Sequence, residues 1–186
     1  MPRSTSRPRD IRAIAIARLI SEMGDEIALI ALLFRVKSSG ATAVSLIFAL
    51  YALSRIILSP LSGSIVDRFA SRRLITTVSL VQVVTATCLA FADGPLLYLL
   101  VFVLAVGASI IGPAWQSLVP VLVESHELSR TYAFIQAHRS LAIVIGAGVG
   151  GFLVESLGSS VALLIDAATF LVVALLRSEE HTSELQ

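Results

Sequence analysis

The chain has 186 residues, of which 56% are hydrophobic and only 15% are charged, and its formal net charge is +1. A soluble domain carries about 25% charged residues, and a chain of this length cannot bury so large an apolar fraction in one aqueous core. The composition therefore excludes an ordinary soluble domain and predicts a membrane protein whose partner is the lipid bilayer. The near-neutral charge provides no basic surface for nucleic acid, so no nucleic-acid partner is expected.

Six apolar stretches approach the ~20-residue length that a bilayer-crossing helix requires. Segments rich in Pro, Gly, Ser or charge separate them. In chain order, the predicted spans are 11–34, 43–62, 74–91, 96–118, 133–154 and 160–176. Strands of a membrane barrel need only ~10 residues and alternate in polarity, which these runs do not. The sequence therefore predicts an all-α membrane protein with six transmembrane helices in residues 11–176, preceded by a cytoplasmic tail at 1–10.

The first predicted span contains four ionisable residues, Arg18, Glu22, Asp25 and Glu26. At 100° per residue they share a stripe about 100° wide, which should face the bundle or a wet cavity because lipid disfavours ions. Counting ~1.5 Å per residue places Glu22 and Arg55 at the same depth, ~18 Å from the outer ends of their helices. We predict that Arg55 neutralises Glu22 and that Asp25 is the proton-binding or cation-binding carboxylate. The alternative is that Arg18, Glu22 and Arg55 only lock helices together.

Arginines are distributed unevenly between the two sides of the predicted bundle. The N-terminal side contains Arg3, Arg7, Arg9, Arg12, Arg68, Arg72, Arg73, Arg130 and Arg139, whereas the other side has Arg35 and Lys37. Short cytoplasmic loops carry an excess of Lys and Arg, so the N-terminus is predicted to lie in the cytoplasm. The predicted location of the protein is the bacterial inner membrane. A basic start followed by apolar residues is also typical of a cleaved signal peptide. The run that follows here is too long for one and contains acids, so we interpret it as a transmembrane span that is retained.

The segment "PLSGSIVDRFASRR" between the second and third predicted spans is a compact charge cluster. It resembles the cytoplasmic signature loop of the major facilitator superfamily at Gly63, Asp67, Arg68, Arg72 and Arg73. The glycine would let a helix approach, and the acid would cap a helix or pair with an arginine, forming a latch between conformations. The alternative is that the arginines only fix the topology. Ala70 and Ser71 stand where the family has a second glycine and a basic residue.

The resemblance extends across residues 11–176. The segments "ISEMGDEIALIAL", "GPAWQSLVPVLVES" and "LLIDAATFLVVAL" are similar to the branch that contains macrolide-efflux-type and siderophore-exporter-type transporters. It implies a twelve-helix exporter made of two six-helix halves, each a 3+3 inverted repeat, of which this chain is the N-terminal half. It also implies proton-coupled efflux of small amphipathic drugs or metabolites, and a missing C-terminal half without which the chain is inactive. It further implies a role for Asp166, for which the sequence leaves two alternatives: lining a cavity or pairing two helices. The alternative is a six-span scaffold or dimerising partner subunit.

The segment "IVIGAGVGG" matches the dinucleotide-binding fingerprint at Gly146, Gly148 and Gly151. That fingerprint requires a soluble βαβ unit, whereas this copy lies within an apolar run between predicted spans. No cofactor is therefore expected. The same stretch contains the close-packing motif Gly146-x-x-x-Gly150, and we interpret Gly146, Gly150 and Gly151 as helix-packing glycines.

Neither an enzyme nor a metal site is expected. An intramembrane hydrolase would need a Ser/His pair, paired aspartates or an HExxH helix, and none is present at the required spacing. No His/Cys cluster has metal-ligand spacing either. Trp115, near the end of the fourth predicted span, is interpreted as an interfacial anchor, and the alternative is contact with a ligand.

The last ten residues, "RSEEHTSELQ" at 177–186, differ abruptly in character from the span before them. They resemble the translation of a sequencing-library adapter, which predicts a non-native tail. The alternative is a short acidic cytoplasmic tail.

Overall fold

The structure is a computed structural model that describes residues 8–68, 71–123 and 125–183. This part of the chain forms six α-helices: α1 Pro8–Val36, α2 Ala41–Arg68, α3 Ser71–Leu89, α4 Gly94–Leu122, α5 Leu128–Leu157 and α6 Ser159–Ser183. A 3-10 turn at Lys37–Ser39 connects α1 to α2. The prediction of an all-α protein is confirmed.

Three helices begin at or beside glycines in the left-handed region. The φ angles are +91° at Gly40, +59° at Gly94 and +87° at Gly158. A residue with a Cβ rarely adopts this conformation, so glycine permits the sharp reversals between α1 and α2, α3 and α4, and α5 and α6. These are the breaks that the sequence predicts at "KSSGAT", "FADGP" and "ESLGSS".

Four helices are long and apolar enough to cross a membrane by length and composition. These segments are Ala41–Leu61, Gly94–Ser117, Leu128–Leu157 and Ser159–Leu176, among the described residues. The apolar part of α3, Arg73–Leu89, is shorter. The polar stripe of α1 interrupts its apolar surface, so this helix depends on its neighbours to cover its charges.

Helices distant in sequence make most of the packing. α1 packs against α5 and α6, α3 packs against α4 and α6, and α2 packs against α4, whereas α1 and α2 barely touch. The main apolar core lies toward the C-terminal ends of α1 and α3, around Leu32, Leu89 and Phe170. A smaller cluster around Ile75 and Trp115 lies toward the other end. A cavity lies between the two clusters, with Phe170 of the first and Trp115 of the second in its wall.

A polar cluster joins three helices at the end where the main core lies. The Nη1 group of Arg35 donates to the carbonyl oxygens of Leu89 and Ala90, both at 3.0 Å. The Oγ of Ser160 donates to the Ala90 carbonyl at 2.7 Å, and the Nε of Arg35 lies 3.4 Å from Asp93 Oδ1. Carbonyls at a helix C-terminus have no partner within the helix, so these bonds satisfy the end of α3. Arg35 therefore connects α1 to α3 in addition to contributing charge to its side of the bundle.

The sixth helix extends beyond its predicted end. Its backbone continues from Leu176 to Ser183 without a break. The side chains from residue 177 onward lie outside the described part of the chain, and the non-native tail stays a prediction.

Candidate functional site

A cavity of about 180 Å³ lies inside the helical bundle, with contributions from all six helices. Among the described residues, six formally charged side chains line it: Arg18, Glu22, Asp25, Glu26, Arg55 and Arg139. Three of these are arginines and three are carboxylic acids, so the formal charges of the lining balance. We call this space the central cavity.

The ionisable stripe of α1 lines the central cavity at Arg18, Glu22, Asp25 and Glu26. Ile27, on another face of α1, is only 5% exposed and belongs to the apolar core. The helix therefore separates charged from apolar side chains around its axis, in agreement with the 100° periodicity.

Glu22 forms its ion pair within α1. The Nε of Arg18 donates to Glu22 Oε1 at 3.0 Å, one helical turn away, and the two side chains are only 13% and 21% exposed. This corrects the prediction that Arg55 neutralises Glu22. Residues four apart on a helix are neighbours, and their proximity decides the pairing. Arg55 lines the central cavity from α2, across from the stripe.

Arg139 was not recognised from the sequence as a cavity residue. It lies within α5, which begins at Leu128, and lines the central cavity. The positive-inside argument counts it with the loop arginines, because a cation near the end of an apolar run is indistinguishable by composition from one in a loop. Its place beside Asp25 and Glu26 in the lining gives the acidic stripe a cation from a second helix.

Gln82 and Trp115 add polar groups to the cavity wall. Gln82 is 1% exposed; its Nε2 donates to the Leu104 carbonyl at 3.5 Å, and its Oε1 accepts no hydrogen bond from a described residue. Gly107 makes room for it, since a Cβ there would lie 2.9 Å from Gln82 Cγ. Trp115 is 4% exposed and lines the cavity, which corrects its interpretation as an interfacial anchor. The lone glutamine in the apolar run "VSLVQVV" was the available signal for Gln82.

Asp166 lies in the interface between α6 and α1 and outside the cavity lining. Its side chain is fully buried, and its Oδ1 accepts a 3.4 Å hydrogen bond from Thr169 Oγ1. Its Oδ2 has no hydrogen-bond partner among the described residues. A Cβ at Gly24 would lie 2.6 Å from Asp166 Oδ1, so the missing side chain of Gly24 allows α6 to approach. Of the two roles that the sequence leaves open for Asp166, the geometry corresponds to helix pairing.

Two of the three predicted packing glycines contact α1. A Cβ at Gly146 would lie 2.9 Å from both Glu26 Cβ and the Met23 carbonyl oxygen. A Cβ at Gly150 would lie 3.0 Å from Ile27 Cα. Gly151 does not share this role among the described residues, because none of their atoms lies within 4 Å of its Cβ position. It follows Gly150 by about 100° around the helix and therefore faces away from α1.

The predicted cytoplasmic latch lies mostly outside the described side chains. Those of Asp67, Arg68 and Arg72 are not described, and that of Arg73 is exposed. No described atom lies within 4 Å of a Cβ at Gly63, so the described residues show no close helix approach there. The pairing of Asp67 with an arginine stays a prediction.

Comparison with known proteins agrees with an apolar helical membrane protein. Residues 14–185 match the Major Facilitator Superfamily, and the chain belongs to this family of membrane transporters. It is a multi-pass membrane protein of a transport family whose members are generally not enzymes. The branch predicted from the sequence, with macrolide-efflux-type and siderophore-exporter-type transporters, stays a prediction.

Three relatives illustrate the similarity. The chain is 27% identical over 165 residues to the lysophospholipid transporter LplT of Photorhabdus laumondii, covering 87% of this chain and 40% of LplT. It is 23% identical over 175 residues to the uncharacterized MFS-type transporter YkuC of Bacillus subtilis, covering 90% of this chain and 41% of YkuC. It is 31% identical over 116 residues to the multidrug resistance protein MdtH of Yersinia enterocolitica, covering 62% of this chain and 29% of MdtH. The chain thus spans about two fifths or less of these relatives' length.

Proposed function

We propose that this chain is the N-terminal half of a secondary active transporter that exports small amphipathic compounds in exchange for protons. The observation that carries the proposal is the set of three carboxylic acids, Glu22, Asp25 and Glu26, around a cavity inside an otherwise apolar bundle. Ionisable groups are costly within a membrane and are retained mainly along ion or substrate pathways. Charges that only locked helices together would be expected to pair between helices, whereas the Arg18–Glu22 pair lies within α1.

The helix pairing supports a 3+3 repeat with six spans. A 3+3 repeat predicts that the packed helix pairs stay the same when α1, α2 and α3 are exchanged for α4, α5 and α6, respectively. Under this exchange, the contact of α1 with α5 becomes the contact of α4 with α2, which is also present. The contact of α1 with α6 becomes that of α4 with α3, and the contact of α3 with α6 is unchanged. Such invariance is expected of a pseudo-two-fold axis in the membrane plane. The 40% and 41% coverage of LplT and YkuC fits one half of a two-half transporter.

The coupling proposal assigns the proton to Asp25. Glu22 is paired with Arg18 at 3.0 Å, which leaves Asp25 and Glu26 as the carboxyl groups of the stripe without an ion pair on their own helix. A proton on Asp25 would change the balanced charge of the central cavity to +1 and alter its attraction for a charged substrate. We propose that this change alternates with rocking of the two halves. Arg55 and Arg139 would supply the positive charge that opposes Asp25 and Glu26.

The proposed orientation places the N-terminus in the cytoplasm, at the inner membrane of a bacterium. The apolar core around Leu32, Leu89 and Phe170 would then close the outer side of this half. The central cavity would face inward and toward the second half, where substrates of such transporters bind near the membrane midplane. An amphipathic substrate fits this lining, because Leu104, Ile111 and Phe170 provide apolar wall beside the charges. The names of LplT and MdtH refer to lysophospholipid transport and multidrug resistance.

The test begins by resequencing the source DNA across the junction between Leu176 and Arg177. A frame that continues into a second half supplies the complete transporter, which is reconstituted in liposomes with an imposed proton gradient. We expect Asp25→Asn to abolish proton-driven substrate movement, because an amide cannot bind and release the proton. Glu155→Gln, which neutralises an exposed carboxylate at the end of α5, is the matched control and should retain transport.

Two outcomes would contradict the proposal. Unchanged proton-driven transport by Asp25→Asn would remove Asp25 from the coupling step. A natural stop codon after the tail in genomic DNA would favour the six-span scaffold or dimerising subunit over a half-transporter.

A further inference from the structure

A second cavity, of about 310 Å³, lies between α1 and α5 beside the central cavity. The two share Arg18 and Glu22 in their linings. The remaining residues that line the second one are Ile16, Leu19, Phe134, Ile135 and His138. We call it the α1/α5 groove.

The α1/α5 groove lies at a different level from the close contact between these two helices. Gly146 and Gly150 bring α5 against the backbone of Met23 and Ile27. Ile135 precedes Gly146 by about 16 Å along the helix, at 1.5 Å per residue. At that level the α5 side chains that line the groove are Phe134, Ile135 and His138, and large side chains do not permit the close backbone approach that glycines do.

The α1/α5 groove is apolar except at its border with the central cavity. Ile16 is 56% exposed and Phe134 is 59% exposed, so large apolar side chains in the groove are left uncovered by the protein. The Arg18–Glu22 ion pair marks the border, since both residues belong to both linings. An apolar space thus continues directly into a charged one.

We propose that the two spaces form one site for a single-chain amphiphile, with its hydrocarbon chain in the α1/α5 groove and its zwitterionic head group in the central cavity. The inference deepens the proposed transport function, on which it rests, by assigning the substrate class. A head group with both charges complements a lining of three arginines and three carboxylic acids better than one with a net charge does. One chain is inferred because the groove, at 310 Å³, is at the small end of the ~300–1,000 Å³ typical of ligand sites.

Trp115 provides a direct readout of head-group binding. It is the single tryptophan of the chain, and it lines the central cavity. The full chain is reconstituted in nanodiscs of unlabelled phosphatidylcholine and titrated with lysophosphatidylcholine brominated near the head group. Bromine quenches tryptophan at short range, so we expect saturable quenching that unlabelled lysophosphatidylcholine reverses. Affinity should also rise with chain length, by about fourfold for each CH₂ that the groove buries, from ~0.8 kcal/mol per group.

Substitutions on α5 test the groove itself. Ile135→Phe fills the groove and should weaken binding about tenfold, equivalent to ~1.4 kcal/mol. Phe134→Ala removes an exposed wall residue, with little risk to folding, and should weaken binding several-fold. Val144→Phe is the matched control: Val144 is on the same helix, 71% exposed and in neither lining, so binding should not change.

Several results would overturn the proposal. Equal quenching by a double-chain bromophosphatidylcholine would show that bilayer lipid fills the groove. Absent or non-saturable quenching would exclude the site, as would equal affinities of Ile135→Phe, Phe134→Ala and Val144→Phe. Because the assay measures binding without transport, failure of the groove leaves the Asp25 coupling test unaffected. Intact groove binding with no proton-driven transport by the complete protein would instead contradict the proposed function.

Discussion

The glycines of α5 provide a sharp test of how this helix packs, because four of them lie within six residues and only two contact α1. The perturbation is Gly→Ala at Gly146, Gly148, Gly150 and Gly151, one at a time. Each substitution adds the same single methyl group to the same helix. The gain in intrinsic helix stability, about 0.5–1 kcal/mol, should therefore be similar in all four and cancel in the comparison.

The distances set the expected differences in unfolding free energy. A Cβ at Gly146 would lie 2.9 Å from Glu26 Cβ and the Met23 carbonyl oxygen, closer than real Cβ contacts occur. The helices must then move apart, and overpacking of this kind costs about 1–3 kcal/mol. At Gly150 the contacts are 3.0 Å and 3.3 Å, which predicts a smaller loss. At Gly148 and Gly151 no described atom lies within 4 Å, so no overpacking is expected.

The assay is reversible unfolding of the chain in mixed lipid–detergent micelles, followed by circular dichroism. We expect Gly146→Ala to be about 1–3 kcal/mol less stable than Gly148→Ala, with Gly150→Ala between them. Gly151→Ala should be as stable as Gly148→Ala. Equal stabilities for Gly146→Ala and Gly148→Ala would refute the packing of α1 on α5, and a strong loss at Gly151 would restore its interpretation as a packing glycine.

The two further predictions concern the ends of the bundle. Arg35→Ala should destabilise the chain by about 1.5–3 kcal/mol, because the Leu89 and Ala90 carbonyls each lose a hydrogen bond from a charged donor, although Ser160 still donates to Ala90. Asp93→Asn, at a carboxylate whose side chain is 82% exposed, should change stability by less than ~1 kcal/mol in the same unfolding assay; equal losses would show that the Asp93 ion pair, not the carbonyl bonds, is the important contact. Aqueous acrylamide and bilayer-embedded bromolipid should both quench Trp115 fluorescence weakly, because the side chain is 4% exposed. Strong quenching by the bromolipid would restore its interpretation as an interfacial anchor.

Periodicity predicts which face of α1 is polar, and the structure directs that face into a cavity. Four charges within nine residues of an apolar helix have few alternatives to the bundle interior, so Arg18 to Glu26 could be placed from the sequence. The ion-pair partner of Glu22 could not be predicted from the sequence. Counting residues gives the depth of a side chain in the membrane but not the direction in which it points relative to another helix. Glu22 and Arg55 have similar predicted depths, yet Arg18 is the partner at 3.0 Å.

Residues on the later helices were harder to assign. Arg139 is indistinguishable by composition from a loop cation, and only the packing of α5 against α1 brings it to the cavity. Gly151 differs from Gly150 by one position. That difference is enough to direct its Cβ position away from α1, where no described atom lies within 4 Å. Deciding between cavity lining and helix pairing for Asp166 required its contact with Gly24, a residue far away in the chain.

The packing of α1 against α5 and α6 rather than α2 has a consequence for biogenesis. The ribosome completes α1 long before its permanent neighbours exist, and at about 5–20 residues per second roughly 6–25 s separate the synthesis of Val36 from that of Ser159. For most of this interval α1 lacks both α5 and α6, the two helices that pack most closely against it in the folded bundle. The insertion machinery, or a chaperone at the membrane, would have to shelter α1 until its last partner is synthesised. Pulse-labelled intermediates that end before α6 should therefore show a first helix that is still extractable from the bilayer.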